Sequence, residues 1–117
     1  MREHQEMVTV LAKPGIAILQ EMTPGMMNLI HMAMGISGEA GELLDAVKKP
    51  AMYNKEIDRE NIVEELGDLE FYMEGLRQQL QITREETLRA NMAKLAVRYH
   101  KFQYSDQAAQ TRADKQR

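Results

Sequence analysis

The strongest constraint on this chain is the spacing of its apolar residues. One stretch carries Leu29, Ala33, Ile36, Ala40, Leu43 and Val47, in steps of four, three, four, three and four. A second carries Ile62, Leu66, Leu69, Met73, Leu76 and Leu80 with the same alternation. A third and shorter run is Leu88, Met92, Leu95 and Tyr99. Steps of three and four hold side chains on one face of a helix, whereas a half-buried strand needs steps of two. The expected fold is therefore all-α: a four-helix core with a short C-terminal tail helix. The 117 residues suffice for one modest core, so residues 1–117 are expected to form one domain with a peripheral tail at 101–117.

Capping chemistry marks where the helices begin. Met7 to Met22 reads as a first helix, interrupted or kinked at Pro14-Gly15. Thr23 is an N-cap with Pro24 at the first helical position, and the second helix runs to about Lys49, where Pro50 is expected to stop it. Lys48 and Lys49 suit the negative end of its dipole. Asp58 is the N-cap of a third helix reaching about Gln81. Thr83-x-x-Glu86 has the capping-box pattern and opens a fourth helix to about His100. Ser105 caps a short last helix through Ala108 and Ala109.

Against these stripes, two acidic pairs stand in matching places. Glu39-x-x-Glu42 and Glu65-x-x-Asp68 each put two carboxylates about one turn apart on one helical face. Each acid lies one residue before a stripe position, on a shoulder roughly 100° from the apolar line. Tyr72 extends the second shoulder by a turn, and Asn91, Lys94 and Arg98 hold the same position on the fourth helix. Charged shoulders in bundles are commonly just solvated. The alternative is that four acids converge and share a cation. Oxygen-only ligands favour a hard ion, Mg²⁺ or Mn²⁺, over zinc or copper.

Gly35, Gly38 and Gly41 stand out within the second helix, since each costs about 1 kcal/mol against alanine there. Either helices pack tightly here, or the helix bends around a ligand. His31, on an otherwise apolar stretch, reads as a core histidine or as a group that touches a ligand. The ten methionines are core fillers, or they line an interface or a binding pocket.

Composition narrows the function further. No cysteine is present, which removes disulfides and thiolate metal sites and suits a reducing, cytoplasmic setting. No apolar run is long enough to cross a membrane, and the charged start lacks a signal-peptide core. A formal net charge of −3 gives no reason to expect nucleic-acid binding through a basic face. No Glu-x-x-His occurs, against di-iron bundles, and no P-loop pattern occurs.

Three segments together carry a family resemblance. Gly38-Glu39-Ala40-Gly41-Glu42-Leu43, Glu64-Glu65-Leu66-Gly67-Asp68 and Asn91-x-x-Lys94-Leu95-x-x-Arg98-Tyr99 resemble the MazG-like nucleotide pyrophosphohydrolases. These belong to the all-α NTP pyrophosphatase superfamily, with dimeric dUTPases, dCTP pyrophosphatases and phosphoribosyl-ATP pyrophosphohydrolases. The 22 residues between Glu42 and Glu65 are ordinary for the family, and the resemblance runs from about Asn28 to Tyr99. It departs at His100, where the commoner family ending has a proline.

The resemblance implies a Mg²⁺-dependent hydrolase, with Mn²⁺ as the alternative ion. It implies that Glu39, Glu42, Glu65 and Asp68 hold metal against the triphosphate of an NTP or dNTP. Water attacks the α-phosphorus, and Glu39 or Glu42 takes its proton. Lys94 and Arg98 contact the phosphates, and Asn91 bonds phosphate or sugar. Tyr72 stacks on the base or bonds the ribose, unless it is a bundle-edge core tyrosine. A homodimer or homotetramer is expected, because one small chain would leave the acids and many methionines uncovered. The rival reading is a helical interaction module that keeps the scaffold without catalysis.

Overall fold

The computed structural model describes residues 2–99 and 104–115. Among these residues six α-helices follow one another: α1 (Arg2–Leu11), α2 (Gly15–Glu21), α3 (Pro24–Met52), α4 (Arg59–Gln79), α5 (Arg84–Arg98) and α6 (Asp106–Thr111), then a 3₁₀ turn at Ala113–Lys115. Among the described residues there is no strand, so the chain is all-α as its periodicity requires. No described helix is long and apolar enough to cross a membrane.

Side-chain caps start four of the helices. Thr23 Oγ1 accepts from the Met26 amide at 3.2 Å, and Asp58 Oδ1 from that of Asn61 at 3.2 Å. Thr83 Oγ1 accepts from the Glu86 amide at 3.0 Å, and Ser105 Oγ from that of Ala108 at 3.0 Å. Each bond satisfies an amide that the first turn leaves without a partner, a gain of about 1 kcal/mol. Pro14 breaks the N-terminal helix as expected, although α1 begins at Arg2, ahead of Met7.

Two helix ends depart from expectation. Pro50 lies inside α3, which runs to Met52. Proline removes one amide from the ladder. The last turn survives because Tyr53 N still donates to Lys49 O at 3.1 Å and Lys55 N to Pro50 O at 2.8 Å. Asn54, at φ 52°, then turns the chain away. Likewise α4 ends at Gln79, before Gln81 takes φ 57°. On α5 the expected end at His100 lies outside the described residues.

The main packing is between α3 and α4, which run antiparallel in strict register. Met32 meets Gly75, Gly35 meets Tyr72, and Glu39 meets Asp68. Each step up one helix is matched by an equal step down the other. Two glycines set this register by receiving the opposing side chain. A Cβ at position 35 would fall within the ring of Tyr72, and one at position 75 would lie 2.5 Å from Met32 Sδ. Gly38 and Gly41 meet nothing, so close approach explains Gly35 but neither of those two.

Those hollows also turn the helices relative to the apolar stripes. The half-buried line of α3 is Leu29, Met32, Ile36, Glu39, Leu43 and Ala46. Its counterpart on α4 is Ile62, Glu65, Leu69, Tyr72, Met73 and Leu76. Ala33, Ala40, Val47 and Leu66, which the stripes place in the core, are exposed. Thus Glu39 and Glu65 sit on the packed line itself rather than on its shoulder.

The displaced stripe residues are left uncovered, together with apolar side chains beside the stripes. Among the described residues no apolar side chain is fully buried, and Met26, Ile30, Leu44 and Val47 of α3 join Val63 and Leu66 of α4 on the surface. The radius of gyration is 20.2 Å, against about 13 Å for a compact domain of this length.

Candidate metal centre

Where α3 and α4 face each other, carboxylates meet. One oxygen each from Glu39, Glu65 and Asp68 lie within 4.8 Å of one another. Glu39 and Glu65 are half-buried there, and Asp68 is exposed at the edge. The glycine-set register is the cause, because it brings the Glu39 turn level with the Glu65–Asp68 turn. Glu42 stays exposed and outside this trio, yet close enough for its charge to act on Glu65.

Glu65 bears the strain of the arrangement. Its Oε2 is buried without a hydrogen-bond partner among the described residues. Burial first, and then the charges of Glu39, Glu42 and Asp68, push its carboxyl above the usual range. A buried acceptor with no donor, facing two more carboxylates, is costly unless a proton or a cation fills the gap. The donor set is all oxygen, so the residues fit a hard divalent ion such as Mg²⁺ or Mn²⁺, with Glu39, Glu65 and Asp68 as its ligands.

The raised value has a measurable consequence for the metal-free protein. A carboxyl raised on folding contributes stability that is present below its unfolded value and lost as pH rises through its folded value. Compared with Glu65→Gln in chelator, the wild type should therefore lose melting temperature as pH rises from the acid side of the carboxylate range toward neutrality. Asp114, held low first by its hydrogen bonds to Arg98, acts in the opposite direction. Since Asp114 is common to both proteins, it cancels in their difference. A difference that is flat with pH would show that Glu65 does not titrate against its neighbours.

Tyr72 stands one turn beyond Asp68 and is half-buried. Its ring lies over Gly35, meets Phe71 edge-on at 5.1 Å and meets His31 edge-on at 6.2 Å. His31 is exposed against that ring, so the core-histidine reading does not hold.

The residues singled out on α5 are placed differently. That helix packs chiefly on the tail, against α6 and the 3₁₀ turn. Asn91 and Lys94 are exposed. Arg98 forks onto Asp114, with Nε to Oδ1 at 3.0 Å and Nη2 to Oδ2 at 3.4 Å. The structure thus gathers three of the four acids and leaves Asn91, Lys94 and Arg98 on a separate helix. Asp114 is the partner of Arg98 that sequence reasoning missed. It lies sixteen residues from its partner, beyond any helical spacing, so no local signal announces it.

Comparison with known proteins bears on the family alone. No curated protein and no solved structure matches the chain at a significant level. A family model does match: the MazG nucleotide pyrophosphohydrolase domain, over residues 28–102. That span holds α3 from Asn28 onward and all of α4 and α5, and with them the acidic trio, Tyr72 and the three polar residues of α5. With most of its length covered by this match, the chain belongs to the MazG nucleotide pyrophosphohydrolase family.

Proposed function

We propose that the protein is a Mg²⁺-dependent nucleoside triphosphate pyrophosphohydrolase, releasing a monophosphate and pyrophosphate from an NTP or dNTP. The observation that carries this reading is Glu65 Oε2, buried without a partner among the described residues and facing Glu39 and Asp68. Those three side chains would hold the ion, with Mn²⁺ as an alternative. When bound, such an ion neutralises phosphate charge and makes water easier to deprotonate.

The chain's own groups then have distinct tasks. Glu42, exposed and outside the trio, takes the proton of the attacking water. The water oxygen bonds to the α-phosphorus as the bond to the bridging oxygen of the β-phosphate breaks. The electron pair leaves with pyrophosphate. Lys94 and Arg98 bind the phosphates, Arg98 through two parallel hydrogen bonds. Asn91 bonds phosphate or sugar. Tyr72, with one ring edge already against His31, stacks on the base or bonds the ribose.

The working unit is a single domain assembled as a homodimer or homotetramer. A second copy covers the apolar faces of α3 and α4 that the chain leaves exposed. Incubating the full chain with Mg²⁺ and each common NTP and dNTP tests the activity. Pyrophosphate and monophosphate should appear in equal amounts for at least one of them, and chelator should stop the reaction. Silence across the whole panel would favour the non-catalytic interaction module.

A further inference from the structure

The fork between Arg98 and Asp114 joins a residue that the proposed function assigns to phosphate with a carboxylate from the tail. Both groups are largely withdrawn from water, with side-chain exposures of 17% for Arg98 and 6% for Asp114. Arg98 presents Nε and Nη2 to two oxygens in parallel, the same presentation it offers a phosphate. The guanidinium is therefore already taken by an internal anion.

The tail that brings Asp114 there is built, not draped. The Tyr99 and Tyr104 rings lie 5.5 Å apart across the junction of α5 and the tail. Tyr104 Oη donates to Asp106 Oδ1 at 2.6 Å, and Ser105 caps α6. After α6, Arg112 takes a left-handed conformation at φ 48° and ψ 58°, which turns the chain back so that Asp114 reaches α5. A non-glycine residue held in that region is strained, so the turn carrying Asp114 is the part of the tail that release relieves. Beside Arg98 lies an open hollow of about 280 Å³, lined also by Ser105, Gln107, Ala108 and Thr111.

We propose that Asp114 is an internal competitor for the phosphate group that Arg98 binds, so that nucleotide must displace the tail carboxylate to be held. This rests on the assignment of Arg98 to phosphate in the proposed function. An occupied guanidinium lowers apparent affinity by the fraction of molecules in which it is free. Asp114→Asn removes the charge and keeps the shape. It should tighten binding about threefold to tenfold.

The experiment uses the full chain and inorganic tripolyphosphate, followed by calorimetry. Tighter binding to Asp114→Asn than to wild type, with binding lost in Arg98→Ala, is the expected result. With any nucleotide found to be a substrate, Asp114→Asn should lower KM and leave kcat unchanged. Equal or weaker binding to Asp114→Asn would overturn the proposal and make Asp114 a positioning residue for Arg98. Undiminished binding to Arg98→Ala would overturn it too. If Asp114→Asn fails to fold, wild type alone suffices: tripolyphosphate should speed hydrogen exchange of amides in the 3₁₀ turn, and protection there would contradict release. A chain that turns over no nucleotide but gives the expected tripolyphosphate results retains the competitor and loses the proposed activity.

Discussion

Glu65→Ala should melt at or above the wild-type temperature in chelator, show little response to Mg²⁺ and lose activity by on the order of a hundredfold or more. The expectation follows from one buried oxygen. Glu65 Oε2 has no donor among the described residues, and its carboxyl feels the charges of Glu39, Glu42 and Asp68. In the metal-free fold that charge is repelled by its neighbours, and its removal relieves them. Most helix substitutions destabilise, so a gain here would be diagnostic of functional strain. In the wild type, Mg²⁺ should raise the melting temperature by mass action through its binding to the folded state. Melts of both proteins, in chelator and in excess Mg²⁺, measure the effect. A Glu65→Ala protein with the full Mg²⁺ response would remove Glu65 from the site.

Gly35→Ala should act in the opposite direction on stability and damage the same site from a distance. The added methyl group would occupy the space of the Tyr72 ring, which is rigid and held between His31 and Phe71. Overpacking of this kind costs about 1–3 kcal/mol, and the better helix propensity of alanine returns only about 1 kcal/mol. The larger consequence is geometric. Gly35 lies one turn from Glu39, so forcing α3 and α4 apart there separates Glu39 from Glu65 and Asp68. Mg²⁺ affinity should fall even where the protein remains folded. Gly75→Ala should be milder, because the atom in its way belongs to the flexible thioether of Met32. Denaturant unfolding and metal titration of the two variants check the order. A Gly35→Ala protein with wild-type stability and metal affinity would show that the register is set elsewhere.

These two glycines also mark where the sequence was readable and where it was not. Thr23, Asp58, Thr83 and Ser105 announced their helices because capping is a local reaction between residues three apart. The apolar stripes announced α3 and α4 for the same reason. The rotation of those stripes was hidden, because it depends on which side chain enters which hollow across two helices. Gly35 was conspicuous within its own helix, whereas its counterpart Gly75 mattered only once Met32 stood opposite. Pro50 was misread because a proline in a last turn removes a single bond, and the turn has others. The acidic pairs were legible as pairs, yet nothing in their spacing separated Glu42 from the trio that converges. Asp114 lay furthest from legibility, since its meaning comes wholly from the fold of the tail.

The central claim is that the acidic trio serves water attack on the α-phosphorus of a nucleoside triphosphate. Turnover in H₂¹⁸O with Mg²⁺ tests it most directly, with the products separated and weighed by mass spectrometry. The account predicts one ¹⁸O in the monophosphate, none in pyrophosphate, and no products when chelator is present. Label in pyrophosphate, or release of the γ-phosphate alone, would contradict it.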